Sequence, residues 1–217
     1  MESINSMIVS DYFDKKVDFS ATDFAKPNYQ LWVSKNLPEN IEDKQGLEPW
    51  IGQLVHNASY NNPEINVIKE FSCKRTFDLE YTIGGSIDRL EYLGGGLWQI
   101  ADIKTQGMYP AQAAFKQPKE DWKIQLSVYR WILDDYNFSI VGSGIIHQYV
   151  LGFTKNKIGM EKYNKLEVEL MSHDDVEELV KSKIEIAIGE EPVSCDCPSW
   201  GCDYCDYTEA CERSRDV

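Results

Sequence analysis

Apolar residues recur along the chain in two rhythms, and the changes between them mark the elements. Residues 1 to about 44 are mixed and polar, with Pro27 and Pro38 interrupting any long element. Over about 48–59, Trp50, Ile51, Leu54 and Val55 fall at i, i+1, i+4 and i+5, the face of a helix that Asn61-Asn62-Pro63 ends. The period then shortens to two. It predicts strands over about 67–77, 81–92 and 97–105, the last two joined through Gly94-Gly95-Gly96. Residues 106–118, with Pro110 and Pro118, read as a loop. A helix over about 121–136 follows, with Lys123, Ser127, Arg130 and Asp134 as its polar stripe; most of its other positions are apolar, the pattern of a largely buried helix. Strands are predicted over about 144–154 and 166–171. Ser172, with Asp175 three residues on, is a capping-box start for a last helix that carries Val176, Leu179, Val180 and Ile184 on one face and stops at Pro192. Helices and strands in this order predict an α/β (α+β) fold, a mixed central sheet flanked by helices.

At 217 residues the chain has the length of one domain with an appendage. The patterning divides it into an N-terminal helical or irregular segment (1–44), a core (45–192) and a cysteine-rich tail packed on that core (193–217). No stretch approaches the ~18 uninterrupted apolar residues of a membrane span. Met1-Glu2-Ser3-Ile4-Asn5 lacks the basic flank and apolar run of a signal peptide, so a cytoplasmic location is expected. The formal net charge of −14 lacks the basic footprint usual in nucleic-acid-binding domains. It leaves room for a nucleic-acid enzyme whose carboxylates hold divalent metals. Such an enzyme binds weakly, through metal or with a protein partner that supplies affinity. The same charge motivates a rival reading, an acidic interaction protein that mimics DNA.

The third predicted strand carries the sharpest chemistry. Alternation puts Trp98, Ile100, Asp102 and Lys104 on one face. Burying each ion costs several kcal/mol unless it is paired or bound to a metal. On the preceding strand, alternation puts Asp88 on the face opposite Ile83 and Ile87. If the two strands are hairpin partners, both carboxylates reach one point. Two carboxylates hold a hard cation such as Mg²⁺ or Mn²⁺. The metal activates water and polarises a phosphate, while a nearby ammonium neutralises charge in the transition state. The spacing alone equally describes an exposed ion pair on edge strands.

These motifs follow one another in a recognisable order. Gly85-Ser86-Ile87-Asp88, then Ala101-Asp102-Ile103-Lys104-Thr105, then Gln125-Leu126-Ser127-Val128-Tyr129 resembles the PD-(D/E)XK nuclease superfamily, most closely its RecB-like branch with the CRISPR-associated RecB-like exonucleases. The resemblance covers roughly residues 45–211. It implies a restriction-endonuclease-like core that hydrolyses DNA with metal-activated water, exonuclease action on single strands or ends being favoured. It implies His56, Asp88 and Asp102 as metal ligands, with the backbone carbonyl of Ile103, and Lys104 as the group that positions or activates water. Gln125 and Tyr129 would hold the substrate backbone or the lysine, and Thr105 would contact phosphate. Glu70 reads first as a strand-surface glutamate and only secondarily as an acidic ligand through water. Lys116, Lys119, Lys123 and Arg130 cluster around the Gln-Tyr helix as phosphate contacts or as a solvated face. His147 reads as structural. A non-catalytic DNA-processing subunit is a further rival, against which the intact Asp88, Asp102 and Lys104 argue.

Of six cysteines, Cys195, Cys197, Cys202, Cys205 and Cys211 crowd the C-terminus. A disulfide framework would spread them, so the bunching reads as a structural metal site. Zinc or a [4Fe–4S] cluster fits four thiolates at such spacing. Cys202, Cys205 and Cys211 resemble part of the iron–sulfur staple of RecB-like nucleases. The staple's far-upstream fourth cysteine is missing, so Cys197, or alternatively Cys195, completes the set and tilts the reading toward zinc.

Overall fold

The computed structural model describes residues 17–38, 47–61, 64–154, 157–192 and 207. The cysteine tail, and with it Cys195, Cys197, Cys202, Cys205 and Cys211, lies outside the described residues. Strand β1 (Phe19–Ser20), a 3₁₀ turn (Asp23–Ala25) and helices α1 (Asn28–Asn36) and α2 (Leu47–Asn61) precede three long strands, β2 (Val67–Phe77), β3 (Tyr81–Gly94) and β4 (Leu97–Gly107). Helices α3 (Met108–Lys116) and α4 (Glu120–Leu133) come next, then β5 (Ser139–Ile140), β6 (Ser143–Thr154), β7 (Lys157–Glu169) and helix α5 (His173–Ile188).

The seven strands form one mixed sheet in the order β1-β3-β4-β6-β7, with β2 also on β3 and β5 also on β4. Antiparallel hairpin pairing joins β2 to β3, β3 to β4 and β6 to β7, while β4 and β6 run parallel across the α3–α4 crossover. Gly94, Gly95 and Gly96 all take positive φ at the β3–β4 turn, a conformation glycine adopts without a side-chain penalty. Helix α4 packs its apolar side on the sheet: Trp122, Leu126, Tyr129 and Ile132 join Ile83, Ile87, Leu90, Ile100 and Ile146 in one core. Val176, Val180 and Ile184 of α5 complete it, as do Phe19, Phe24 and Leu31 from the N-terminal segment. Each such large side chain, fully buried, contributes roughly 1.5–3 kcal/mol. The predicted cap of α5 is present, Ser172 Oγ accepting the Asp175 N–H at 3.1 Å.

Several expectations are corrected. Residues 106–118 are the end of β4 followed by α3. Pro110 falls in the first turn, where an N–H has no intrahelical partner to lose, and Pro118 lies just past the C-cap, so the prolines bracket a helix instead of breaking one. The last strand begins at Lys157, not near 166. As the edge of the sheet order it carries Glu161, Lys162 and Lys165, charges that hide the alternation until Leu166. Leu54 is 47% exposed; Ile51 and Val55 alone of its predicted face turn inward among the residues whose burial is described. Ser127, assigned to a polar stripe, is fully buried and satisfied, donating to the Lys123 carbonyl and accepting from the Met171 N–H.

Candidate active site

The centre forms where the sheet divides. Along one edge, β3 has β1 opposite Ile83 and Gly84 and then β4 opposite Arg89 to Gly94. Between Gly84 and Arg89 that edge carries no strand among the described residues. Tyr129 of α4 enters the gap, its hydroxyl donating to the Ser86 carbonyl at 2.9 Å. A Cβ on Gly85 would lie 2.8 Å from that hydroxyl, so the ring approaches this closely only over glycine.

A second irregularity aims the acidic groups. Glu70 has φ +53° and interrupts the β2–β3 ladder between the pairs Lys69↔Arg89 and Phe71↔Ile87. Core contacts on β3 accordingly pass from Ile83 and Ile87 to Leu90, and on β2 from Ile68 to Phe71 and Cys73. The change of parity falls at Glu70 and Asp88, the two residues whose carboxylates meet His56. A non-glycine residue in this region costs on the order of 1 kcal/mol and is often found at functional sites.

Asp88 Oδ2 accepts the backbone N–H of Ile103 at 2.8 Å, and Asp88 Oδ1 lies 3.0 Å from His56 Nε2 on α2. The other ring nitrogen, His56 Nδ1, meets Glu70 Oε1 at 3.1 Å, and Ser86 Oγ donates to Glu70 Oε2 at 2.9 Å. Helix α2 sits close on β4, since a Cβ on Gly52 would come within 2.9 Å of Thr105 Oγ1. On β4, Asp102 is buried. Its Oδ2 lies 3.0 Å from Lys104 Nζ, and its Oδ1 accepts from Gln125 Nε2 at 3.3 Å. Lys104 Nζ donates in turn to Gln125 Oε1 at 3.1 Å.

Burial pushes the Asp102 carboxyl up to about 6, helped by the Asp88 charge and opposed by Lys104 and His56. The hydrogen bond that His56 donates to Asp88 raises the histidine, with further support from the Asp88 and Glu70 charges and opposed by burial. Burial also raises the Tyr129 phenol, so it remains a neutral donor. Asp102 Oδ2 receives the Lys104 ion pair but no directed hydrogen bond, which leaves a buried carboxylate oxygen under-satisfied. A carboxylate in that condition fits a divalent cation. His56, Glu70 and Asp88 offer three more ligand atoms within 4.8 Å of one another. Glu70 on Nδ1 can orient the ring through one nitrogen, and Nε2, which here meets Asp88, is the nitrogen that would turn to a metal once deprotonated.

The structure thus brings His56, Asp88, Asp102, Ile103, Lys104, Gln125 and Tyr129 to one end of the sheet. Thr105 lies under α2 beside them. Lys123 is two residues from Gln125 on α4, roughly 200° around the helix, and its ammonium pairs with Glu120 at 3.7 Å instead of entering the centre. Arg130 donates to the Met171 carbonyl, and Lys119 Nζ lies 5.4 Å from the centre of the Trp122 ring. Glu70 stands at the centre and not simply on the strand surface, since it meets His56 directly. Once β2 and β3 are accepted as a hairpin turning at 78–80, the register alone sets Glu70 beside Asp88. His147 was read as structural, and it joins a second polar cluster: its Nε2 meets Glu91 Oε1 at 2.8 Å and its Nδ1 meets Tyr163 Oη at 2.5 Å.

The family model that describes the PD-(D/E)XK nuclease superfamily matches residues 44–212, and the chain belongs to that superfamily. Its fold is similar to the crystal structure of SSO0001, with a TM-score of 0.61 and 17% identity over 92% of this chain and 88% of that one. It is also similar to a candidate exonuclease from Eubacterium rectale, with a TM-score of 0.53 and 12% identity over 91% and 92% of the two chains. No curated protein matches the sequence. The protein is therefore a nuclease by family, and members of this superfamily generally use divalent metals. Among the described residues, no helix is long and apolar enough to cross a membrane.

Proposed function

We propose that this protein is a Mg²⁺- or Mn²⁺-dependent deoxyribonuclease acting as an exonuclease on single-stranded DNA or DNA ends. The observation that carries the reading is the buried, under-satisfied Asp102 Oδ2 facing Lys104, with Asp88 and His56 beside it. His56, Asp88, Asp102 and the Ile103 carbonyl hold the metal. Glu70 orients His56 through Nδ1. When bound, the metal polarises the phosphate and lowers the pKa of the attacking water. Lys104, fixed between Asp102 and Gln125, positions that water and offsets charge that develops on the phosphate. Gln125 keeps the ammonium and the carboxylate in one geometry. Tyr129 holds β3 at Ser86, so Asp88 stays aimed. Thr105 contacts the phosphate backbone.

The tail cysteines Cys197, Cys202, Cys205 and Cys211, with Cys195 as alternative, hold a structural zinc ion or [4Fe–4S] cluster packed on the core. Metal analysis, with an absorbance band near ~400 nm for a cluster, separates the two. The charge of −14 points to a protein partner that supplies DNA affinity. The test is cleavage of end-labelled single- and double-stranded DNA with Mn²⁺, Mg²⁺ or EDTA. Metal-dependent loss of nucleotides from an end supports the reading. Internal cuts replace exonuclease by endonuclease, and no cleavage with either metal favours a non-catalytic subunit or a DNA mimic.

A further inference from the structure

A cavity of about 520 Å³ opens beside the centre, within the ~300–1,000 Å³ usual for ligand sites. Val55 and Ala58, on either side of His56 on α2, line it together with Tyr149, Met160 and Tyr163. Tyr149 lies opposite Thr105 in the β4–β6 ladder, one residue beyond Lys104 along β4. Tyr163 pairs with Tyr149 across β6 and β7, with ring centres 5.2 Å apart and planes at 54°. The cavity is therefore lined by near neighbours, along α2 and across the β4–β6 ladder, of residues that carry the proposed metal site.

Its polar groups are committed to one another. Arg89 holds Glu64 through two hydrogen bonds of 2.7 and 2.6 Å and Glu91 through one of 3.0 Å. Glu64 also pairs with Lys69 at 2.9 Å. Glu91 accepts His147, and His147 meets the Tyr163 hydroxyl while its ring stacks on the tyrosine at 5.9 Å and 22°. Opposed charges in close pairs leave little net field for a phosphate or a metal ion. The cluster's effect is mechanical: it fixes the Tyr163 ring, which is still 45% exposed, as a rigid aromatic wall. Two aromatic rings and two small apolar side chains around an electrically balanced floor suit a neutral, planar heterocycle.

We infer that Tyr163 and Tyr149 form a stacking subsite for an unpaired nucleobase of the strand being cleaved. The inference rests on the nuclease reading and narrows it, because a base inside a duplex has no free face to offer whereas a single strand does. The wall selects by stacking and not by sequence, since every base has a π-face.

The experiment uses the full-length protein with short DNA substrates, one set with 2-aminopurine and one with abasic sites near the end. Tyr163→Ala and Tyr149→Ala are expected to raise KM for the single strand about tenfold, with little change in kcat. Tyr163→Trp restores a stacking face without the hydroxyl and should recover most of the KM lost in Tyr163→Ala, which separates stacking from a general loss of folding. Abasic DNA should raise KM for wild type but add little in Tyr163→Ala. Wild type should quench 2-aminopurine fluorescence and Tyr163→Ala should not. Unchanged KM in both alanine variants, or fully additive effects of abasic DNA and Tyr163→Ala, overturns the subsite. Absence of any cleavage by wild type defeats the nuclease reading instead; the 2-aminopurine quench then still decides for or against the subsite.

Discussion

Asp88 accepts the backbone N–H of Ile103 through the same carboxylate that meets His56. The residue thus stands where a ladder bond between β3 and β4 would continue past the Arg89↔Ala101 pair. One oxygen closes the split in the sheet while the other faces the candidate metal position. Structure and chemistry are separable here by substitution. Asp88→Asn keeps an acceptor for Ile103 and loses the charge, so it should fold with nearly wild-type stability yet lose metal binding by calorimetry. Asp88→Ala leaves the Ile103 N–H without its partner and should cost about 1–3 kcal/mol in addition. Equal destabilisation by the two variants contradicts this division.

Gln125 ties Lys104 to Asp102, and its loss should be felt in rate before it is felt in stability. Gln125→Ala should lower activity by roughly 10–100-fold, the range for groups that orient a metal site. Gln125→Glu puts a carboxylate against Asp102, which raises the Asp102 pKa further and moves the acidic limb of the pH–rate profile upward. A profile unchanged in position would count against this role.

Gly85 and Tyr129 form a steric pair. A Cβ at residue 85 would lie 2.8 Å from the Tyr129 hydroxyl oxygen. Gly85→Ala should therefore destabilise by about 1–3 kcal/mol, the cost of overpacking. Removing the oxygen with Tyr129→Phe should recover part of that loss. A double-mutant cycle on thermal unfolding measures the coupling, and additivity of the two changes would contradict the contact.

The pH response of the metal-free protein has a definite sign. Asp102 has a folded pKa of about 6, above its ordinary 3.8, so its ionisation destabilises the fold progressively between those values. His56, raised above 6.5, contributes stability that is complete below that value and is lost as pH rises through its folded pKa. Asp23 acts oppositely. Burial raises it, but hydrogen bonds from Lys26, Lys35 and Ser20 outweigh that and bring it to about 2, so its contribution is present above 3.8 and lost as pH falls through about 2. Glu64 and Glu91, also held at about 2, act with Asp23 up to about 4.5, so metal-free protein should lose stability from about pH 5 to 7, and Mg²⁺ should restore it most at the upper end by binding the ionised Asp102. Asp102→Asn should flatten the first part of that slope. Thermal unfolding against pH, with Mg²⁺ and with EDTA, checks it.

Much of the site was legible because its motifs sit on elements whose periods are unambiguous. Asp102 and Lys104 share a face by strict alternation, and Gln125 and Tyr129 share one by helical spacing, so the strand and the helix above it meet as expected. The α/β class and the β3–β4 turn followed equally from pattern and glycine. What was missed depends on tertiary register or on irregular backbone. Glu70 reaches His56 through a positive φ that no alternation rule anticipates. Pro110 looked like a breaker because only its place in the first helical turn makes it harmless. Tyr163 and Tyr149 are far apart in sequence, and only the β6–β7 pairing makes them one wall.

The central claim is tested most directly by incubating end-labelled single-stranded DNA with wild type and Lys104→Ala in Mg²⁺, Mn²⁺ or EDTA, while metal binding by both proteins is measured separately. Wild type should degrade the DNA only with metal, and Lys104→Ala should bind the metal yet cleave at least ~100-fold more slowly, the loss of one electrostatic group aimed at the transition state. Metal-independent cleavage, or full activity in Lys104→Ala, would contradict a nuclease centred on Asp88, Asp102 and Lys104.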